Sequence, residues 1–310
     1  MPDGETEALA DGALLRRRAD GVVGLVLNRP ERHNALTGPM YEALLETCAE
    51  LRDDTAVRAV VIRGAGGRAF TAGNDIAHFT GLRDGAAGAA HEADVRRVLR
   101  AVAELPQVTI AAVDGVCAGA GLALATYCDL RIATPHSRFG YPIARTLGNV
   151  LAASMLHRCV AVFGEPLTRE LLLTSRLVDA ARAHAVGAVM SVVPEDRLDR
   201  EVEDVVAGLC LAAPLTLRTT KRQLLHRADT LDVVPEDDDS LIEQAYGSAD
   251  FREGVRAFLA RQEPDFGRRT ARGHTATEDP GTTTAPHANR ESPPVRAEPL
   301  PQAAGGTKDT

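Results

Sequence analysis

No stretch of this chain is long and apolar enough to cross a bilayer: the longest near-apolar segment, 117–128, falls far short of the roughly 20 residues a spanning helix needs. Basic clusters are scarce too. Nothing longer than Arg16-Arg17-Arg18 occurs, and 43 acids against 35 bases leave a formal charge of −8, which speaks against nucleic acid as the main partner. The five cysteines, Cys48, Cys117, Cys128, Cys159 and Cys210, are odd in number, form no Cys-x-x-Cys pair and sit mostly among apolar neighbours. That is the pattern of reduced core residues in the cytosol rather than of a disulfide framework. The opening residues are acidic and polar, unlike a secretory leader, so the expectation is a cytoplasmic protein with no membrane partner. A Ser-His-Asp elbow, a P-loop and a metal-ligand cluster are missing as well, and none of the nine histidines forms a His-x-x-x-His pair, so no metal site is expected.

What is present is an ordinary globular composition, 45% hydrophobic and 25% charged, enough for a sizeable core. Two β-type runs at 14–18 and 22–27 flank Ala19-Asp20-Gly21, whose Asp-Gly pair signals a tight hairpin. The Arg triplet in the first run reads as a solvated strand edge. A helix with Met40, Leu44, Leu45 and Leu51 on one face is expected over 38–51, followed by a buried strand at 57–63. The Gly/Ala run at 81–90 has little to bury and reads as a mobile loop over a cleft, with a helix at 91–105 after it. Short strands are expected at 129–133 and 189–193. From Asp196 the apolar period becomes helical, and beyond 270 the Pro, Thr, Gly and Ala content predicts disorder.

Residues 109–133 carry the most chemistry. A buried strand at 109–113 meets Asp114-Gly115, and Gly119 and Gly121 then open a small-residue helix at Ala120. Backbone N–H groups are left unpaired there, at the positive end of the helix dipole. Donors of that kind suit a developing enolate or tetrahedral oxygen. A dinucleotide fingerprint is the rival reading of Gly119-Ala120-Gly121, and it fails: Leu124 stands at the third glycine position, and no acid lies near Phe139, about 20 residues on, to hold a ribose.

This segment resembles the signature of the crotonase superfamily, also called the enoyl-CoA hydratase/isomerase family. Ala69-Phe70-Thr71-Ala72-Gly73-Asn74-Asp75-Ile76 is similar to that family's other oxyanion segment. Leu27-Asn28-Arg29-Pro30 with Glu31 to Leu36, and Asp250 to Leu259, extend the match over about 14–268. The resemblance implies an α/β crotonase fold: an N-terminal extension (1–13), a spiral core of repeated ββα turns (14–195), a C-terminal helical trimerisation region (196–268) and a disordered tail (269–310). It further implies an acyl-CoA thioester as substrate, no cofactor beyond the coenzyme A carried by that substrate, and a homotrimer or hexamer. The amides of Ala72 and Ala120 become the oxyanion donors, and Arg32, His33 and Ala35, with Ala72, Asn74, Asp75 and Ile76, the coenzyme A contacts. Asp75 reads as a brace for the Ala72 turn, and Asp129 with Arg131 as a structural pair.

The resemblance also exposes a departure. In the family's hydratases one glutamate lies two residues after the last glycine of the oxyanion turn, and the other follows a Phe-Gly-x-Pro segment. Those positions are Ala123 and Ile143, neither of which carries a proton, so standard hydration is not expected from them. Polar groups remain nearby. Arg145, Thr146 and Asn149 are candidates to orient a substrate group or a water, although Asn149 reads better as a helix N-cap. Tyr141 reads as a core ring in preference to a phenolic acid. His91, Glu92 and Asp94 read first as a solvated helical turn and second as a source of the missing base. The expected activity is therefore enolate stabilisation on an acyl-CoA, as an enoyl-CoA hydratase/isomerase-like lyase or isomerase. The alternative is a non-catalytic acyl-CoA-binding or regulatory subunit.

Overall fold

A computed structural model describes residues 5–231 and 233–266 of the chain. The tail at 269–310, with its expected disorder, lies outside them. Among the described residues the strands are β1 (Glu5–Leu9), β2 (Leu14–Ala19), β3 (Val22–Leu27), β4 (Ala59–Gly64), β5 (Ala69–Thr71), β6 (Val108–Val113), β7 (Val116–Ala118), β8 (Leu130–Ala133), β9 (Arg138–Gly140), β10 (Val178–Asp179) and β11 (Ser191–Val192). The α-helices are α1 (Gly38–Leu51), α2 (Gly85–Glu104), α3 (Ala120–Tyr127), α4 (Ile143–Thr146), α5 (Ala153–Phe163), α6 (Glu165–Leu173), α7 (Ala180–Ala185), α8 (Leu198–Leu211), α9 (Pro214–Leu231), α10 (Asp238–Tyr246) and α11 (Ala249–Leu259). None of them is long and apolar enough to cross a membrane.

The strands form two sheets, ordered β1-β2-β3-β4-β6-β8-β11 and β10-β9-β7-β5. Asp20 and Gly21, at φ of 50° and 74°, make the two-residue turn between β2 and β3, as their sequence predicts. From β3 onward the long sheet is parallel. Both of its faces are covered, which is why β4 and β6 read as continuous apolar runs instead of alternating ones. One face belongs to the main core, with Val60, Ile62, Ala111 and Val113 packed among side chains of α1, α2 and α3. On the other, Val61, Ile110 and Ile132 pack with Leu198 and Val202 of α8.

The Arg triplet does not form an edge. β1, drawn from the segment read as an extension, pairs antiparallel with β2 and takes the edge position. The cause is charge complementarity across the ladder: Glu7 lies opposite Arg16 and bonds it at 2.6 Å, while Arg16 also meets Glu50 and Arg18 meets Asp54. Nor do the side chains of Asp129 and Arg131 pair. The Arg131 guanidinium donates to the carbonyls of Ala125, Cys128, Asp129 and Ala188, whereas the Asp129 carboxylate accepts from Thr109 and from Lys221 Nζ at 2.6 Å, tying α9 to the end of the long sheet.

The largest departure from expectation is at 81–90. Helix α2 begins at Gly85, six residues before the expected start at 91, and is capped by Asp84, whose carboxylate accepts from the Ala87 amide at 2.9 Å. Its Gly and Ala content reflects close packing. A Cβ at Gly85 would lie 2.1 Å from the Glu243 carbonyl oxygen, and one at Gly88 would lie 2.3 Å from the Tyr246 side chain. Small residues let α10 settle directly on the first turns of α2. Gly88→Ala is accordingly expected to destabilise the fold by about 1–3 kcal/mol in urea denaturation, the usual cost of overpacking. An unchanged midpoint would show that α10 does not sit there.

Candidate active site

Parallel neighbours β5 and β7 of the short sheet each end in a glycine turn, and the two turns touch. Gly73, at φ +107°, holds a conformation that residues with side chains rarely adopt, and a Cβ there would press tightly on the other turn, 3.1 Å from the Ala118 carbonyl and 3.3 Å from the Ala120 amide nitrogen. Gly119, at φ 54° and ψ −128°, serves as N-cap of α3 without any capping side chain, so Ala120 opens the helix with its amide uncapped.

The pair of free donors is not the expected one. Ala72 N–H donates to the His33 carbonyl at 3.0 Å and is spent in holding the two loops together. Two residues on, Asn74 is flanked by an isolated parallel bridge in which Leu36 N–H donates to the Gly73 carbonyl and Asp75 N–H to the Leu36 carbonyl. Among the described residues the amides of Asn74 and Ala120 have no acceptor. The Asn74 side chain is clamped from both ends: its Oδ1 accepts from the Tyr41 hydroxyl at 2.6 Å and its Nδ2 donates to His91 Nε2 at 3.2 Å. Burial, helped by His78, pushes the His91 imidazole down to about 4, so at neutral pH the ring is uncharged and Nε2 is free to accept.

These turns floor a cleft of about 750 Å³. Arg32, His33, Ala35, Ala72, Asn74, Asp75, Ile76, Ala120 and Asn149 all line it, so the sequence brings most of the expected site residues to one place. Arg145 is the exception: it is exposed and absent from the lining. On the single turn of α4, Ile143 and Thr146 face the cleft at i and i+3, which turns Arg145 outward. Asp75 caps the turn at Ile76–Gly81, which follows the Ala72 turn, and pairs with Arg29 at 2.9 Å. Tyr141 is a fully buried ring. Ala123 is buried in α3 outside the lining, and Ile143 forms part of the apolar wall.

Asn149 caps no helix; the residue before α5 is Ala152. Instead Asn149 Nδ2 donates to the Tyr246 hydroxyl at 3.1 Å, and that hydroxyl donates to Glu92 Oε1. Glu92 is therefore not part of a solvated turn. It is 5% exposed in the cleft wall, and its Oε2, like Asn149 Oδ1, is buried without a hydrogen-bond partner. Burial pushes its carboxyl up to about 7, opposed by the Tyr246 hydrogen bond and Arg96 and aided by Asp238. A carboxyl that titrates near neutrality is suited to giving and taking protons. One sequence signal could have found it. Gly88, Glu92, Val95 and Leu99 follow helix spacing as a buried stripe, and an acid in such a stripe needs a reason.

Residues 17–269 match the family profile described as enoyl-CoA hydratase/isomerase. The chain belongs to this family. It is 35% identical over 257 residues to a putative enoyl-CoA hydratase from Thermus thermophilus, covering 79% of this chain and 97% of that protein. It is 32% identical over 251 residues to the 1,2-epoxyphenylacetyl-CoA isomerase of Escherichia coli, covering 79% and 95%. Among solved structures, methylmalonyl-CoA decarboxylase in complex with 2-nitronate-propionyl-CoA superposes with a TM-score of 0.74 at 25% identity, over 82% of this chain and 97% of that one. The crotonase fold of this enoyl-CoA hydratase/isomerase family member is thus shared with proteins named for three different reactions. The reaction has to be argued from the side chains of the cleft.

Proposed function

We propose that this protein binds an acyl-CoA thioester in the cleft and stabilises its enolate with the backbone amides of Asn74 and Ala120. The observation that carries the reading is the contact of the two glycine turns, with the acceptor-free amides of Asn74 and Ala120 on residues that line the same cleft. A thioester carbonyl held there gains negative charge as the neighbouring C–H is deprotonated, and each such donor contributes about 3 kcal/mol to the transition state. Arg32 and His33 line the same cleft and suit the phosphates of coenzyme A. Ala123 and Ile143 bring no acid or base, which favours redox-neutral proton transfer at the carbon next to the carbonyl over standard hydration, with coenzyme A present only as part of the substrate. Exposed Leu211, Leu215, Leu224 and Leu231 on α8 and α9 support a homo-oligomer that covers them.

The test is mass spectrometry of saturated and unsaturated acyl-CoAs incubated with the protein in D₂O. Deuterium is expected at the α-carbon of at least one class of thioester. Tight binding without exchange or product would instead make the protein an acyl-CoA-binding subunit.

A further inference from the structure

We infer that Glu92 is the catalytic acid and base of this cleft, and that Tyr246 and Asn149 are the residues that position it. The inference rests on the enolate reading and names the group that moves the proton. Other titratable side chains in the lining are otherwise committed or remote. Asp75 is held by Arg29, Glu31 is exposed, and His33 is exposed beside it. His91, the neighbour of Glu92, is occupied with the Asn74 side chain. Tyr141 is also buried in the wall with an unpartnered oxygen, but burial pushes its phenol well above the ordinary range, so it keeps its proton and cannot act as a base; Glu92 is the carboxyl that combines burial, a place in the cleft wall and an oxygen with nothing bonded to it.

The geometry assigns separate tasks to the two carboxylate oxygens. Oε1 is fixed by the Tyr246 hydroxyl, which is itself fixed by Asn149 Nδ2, so the carboxylate plane is set by a relay crossing from the segment after α4 through α10 to α2. Tyr246 cannot swing away. It is 2% exposed, its ring packs on Phe251 with centroids 4.6 Å apart and meets Phe79 edge-on at 6.3 Å, and Gly88 closes the other side. Oε2 remains free for the substrate. It takes a proton from the α-carbon of the thioester, and the C–H electron pair passes into the carbonyl, whose oxygen becomes the enolate held by Asn74 and Ala120. The same carboxylic acid then returns the proton to carbon, which regenerates the thioester and leaves Glu92 ionised. Asn149, another lining residue, also carries a buried oxygen without a partner, Oδ1, which suits a hydroxyl or water donor. The groups that set the charge of Glu92 are Tyr246 and Asp238 on α10, Arg96 on α2 and Tyr41 on α1.

The experiment compares the full-length wild-type chain, Glu92→Gln and Tyr246→Phe in the D₂O assay, with acyl-CoA binding measured in parallel by calorimetry. Glu92→Gln preserves shape and is expected to lose roughly 10²–10⁴-fold in α-exchange while binding acyl-CoA within a few-fold of wild type. Tyr246→Phe keeps the ring but removes the hydrogen bond that favours the carboxylate, so the acid limb of its pH–rate profile is expected to move to higher pH, which a loss of packing alone would not produce. Undiminished exchange in Glu92→Gln would overturn the assignment and leave the enolate reading standing. An unmoved profile in Tyr246→Phe would overturn the positioning role. A wild-type chain that binds acyl-CoA without exchanging it would overturn both readings together.

Discussion

Ala120→Pro is expected to lower the α-exchange rate by about 10²–10³-fold, the usual cost of removing one oxyanion donor, with little loss of stability. Ala120 is the first residue of α3, where the helix makes no use of the N–H, and proline's fixed φ suits that position. The substitution therefore deletes one hydrogen-bond donor and leaves the helix otherwise intact. The rate should be followed alongside the thermal midpoint. A near-normal midpoint with a collapsed rate assigns the Ala120 amide to the reaction, and a retained rate removes it from the proposed site.

The second large effect is on stability. The Glu92 carboxyl is raised to about 7 from an ordinary 4.5, so the folded chain holds that proton more tightly than the unfolded chain does. Below about pH 4.5 both states are protonated and nothing is lost. Between about 4.5 and 7 the unfolded chain ionises first and folding weakens as pH rises. Above about 7 the loss is complete, at about 3 kcal/mol for a shift of this size. Glu92→Gln stays neutral throughout and escapes the loss. Its stability advantage in chemical denaturation should accordingly approach about 3 kcal/mol at pH 8 and fall below about 1 kcal/mol at pH 5. The difference between the two proteins cancels the other titrating groups, so a constant gap across this range would show that Glu92 is not buried as described.

Much of the scaffold was legible because its signals are local. Asp20-Gly21 specifies its own turn, the stripe of Met40, Leu44 and Leu51 specifies α1, and Gly119 to Gly121 announces an uncapped helix end whatever surrounds it. Apart from Arg145, which its place on the turn of α4 points outward, the misreadings concern residues whose meaning depends on a distant partner. The Gly/Ala run before His91 looked featureless because smallness and looseness are indistinguishable in a local window, and only Glu243 and Tyr246 reveal that the space is filled. Ala72 and Asn74 are equally good donors on paper, and the choice is made by the His33 carbonyl. Glu92 looked like one more acid in a helical first turn because the tyrosine that buries and binds it lies 154 positions away.

That separation has a consequence for the life of the chain. A ribosome makes both glycine turns and the long sheet's central strands well before Tyr246 emerges, whereas a compact domain folds as a unit. Until α10 is made, Glu92 lacks the hydroxyl that binds it and the side chain that buries it. Docking of α10 onto Gly85 and Gly88 is the event that dries and orients it. The environment of Glu92 is thus completed only with the last quarter of the chain, and the cleft lining is completed later still, at Phe258 to Gln262.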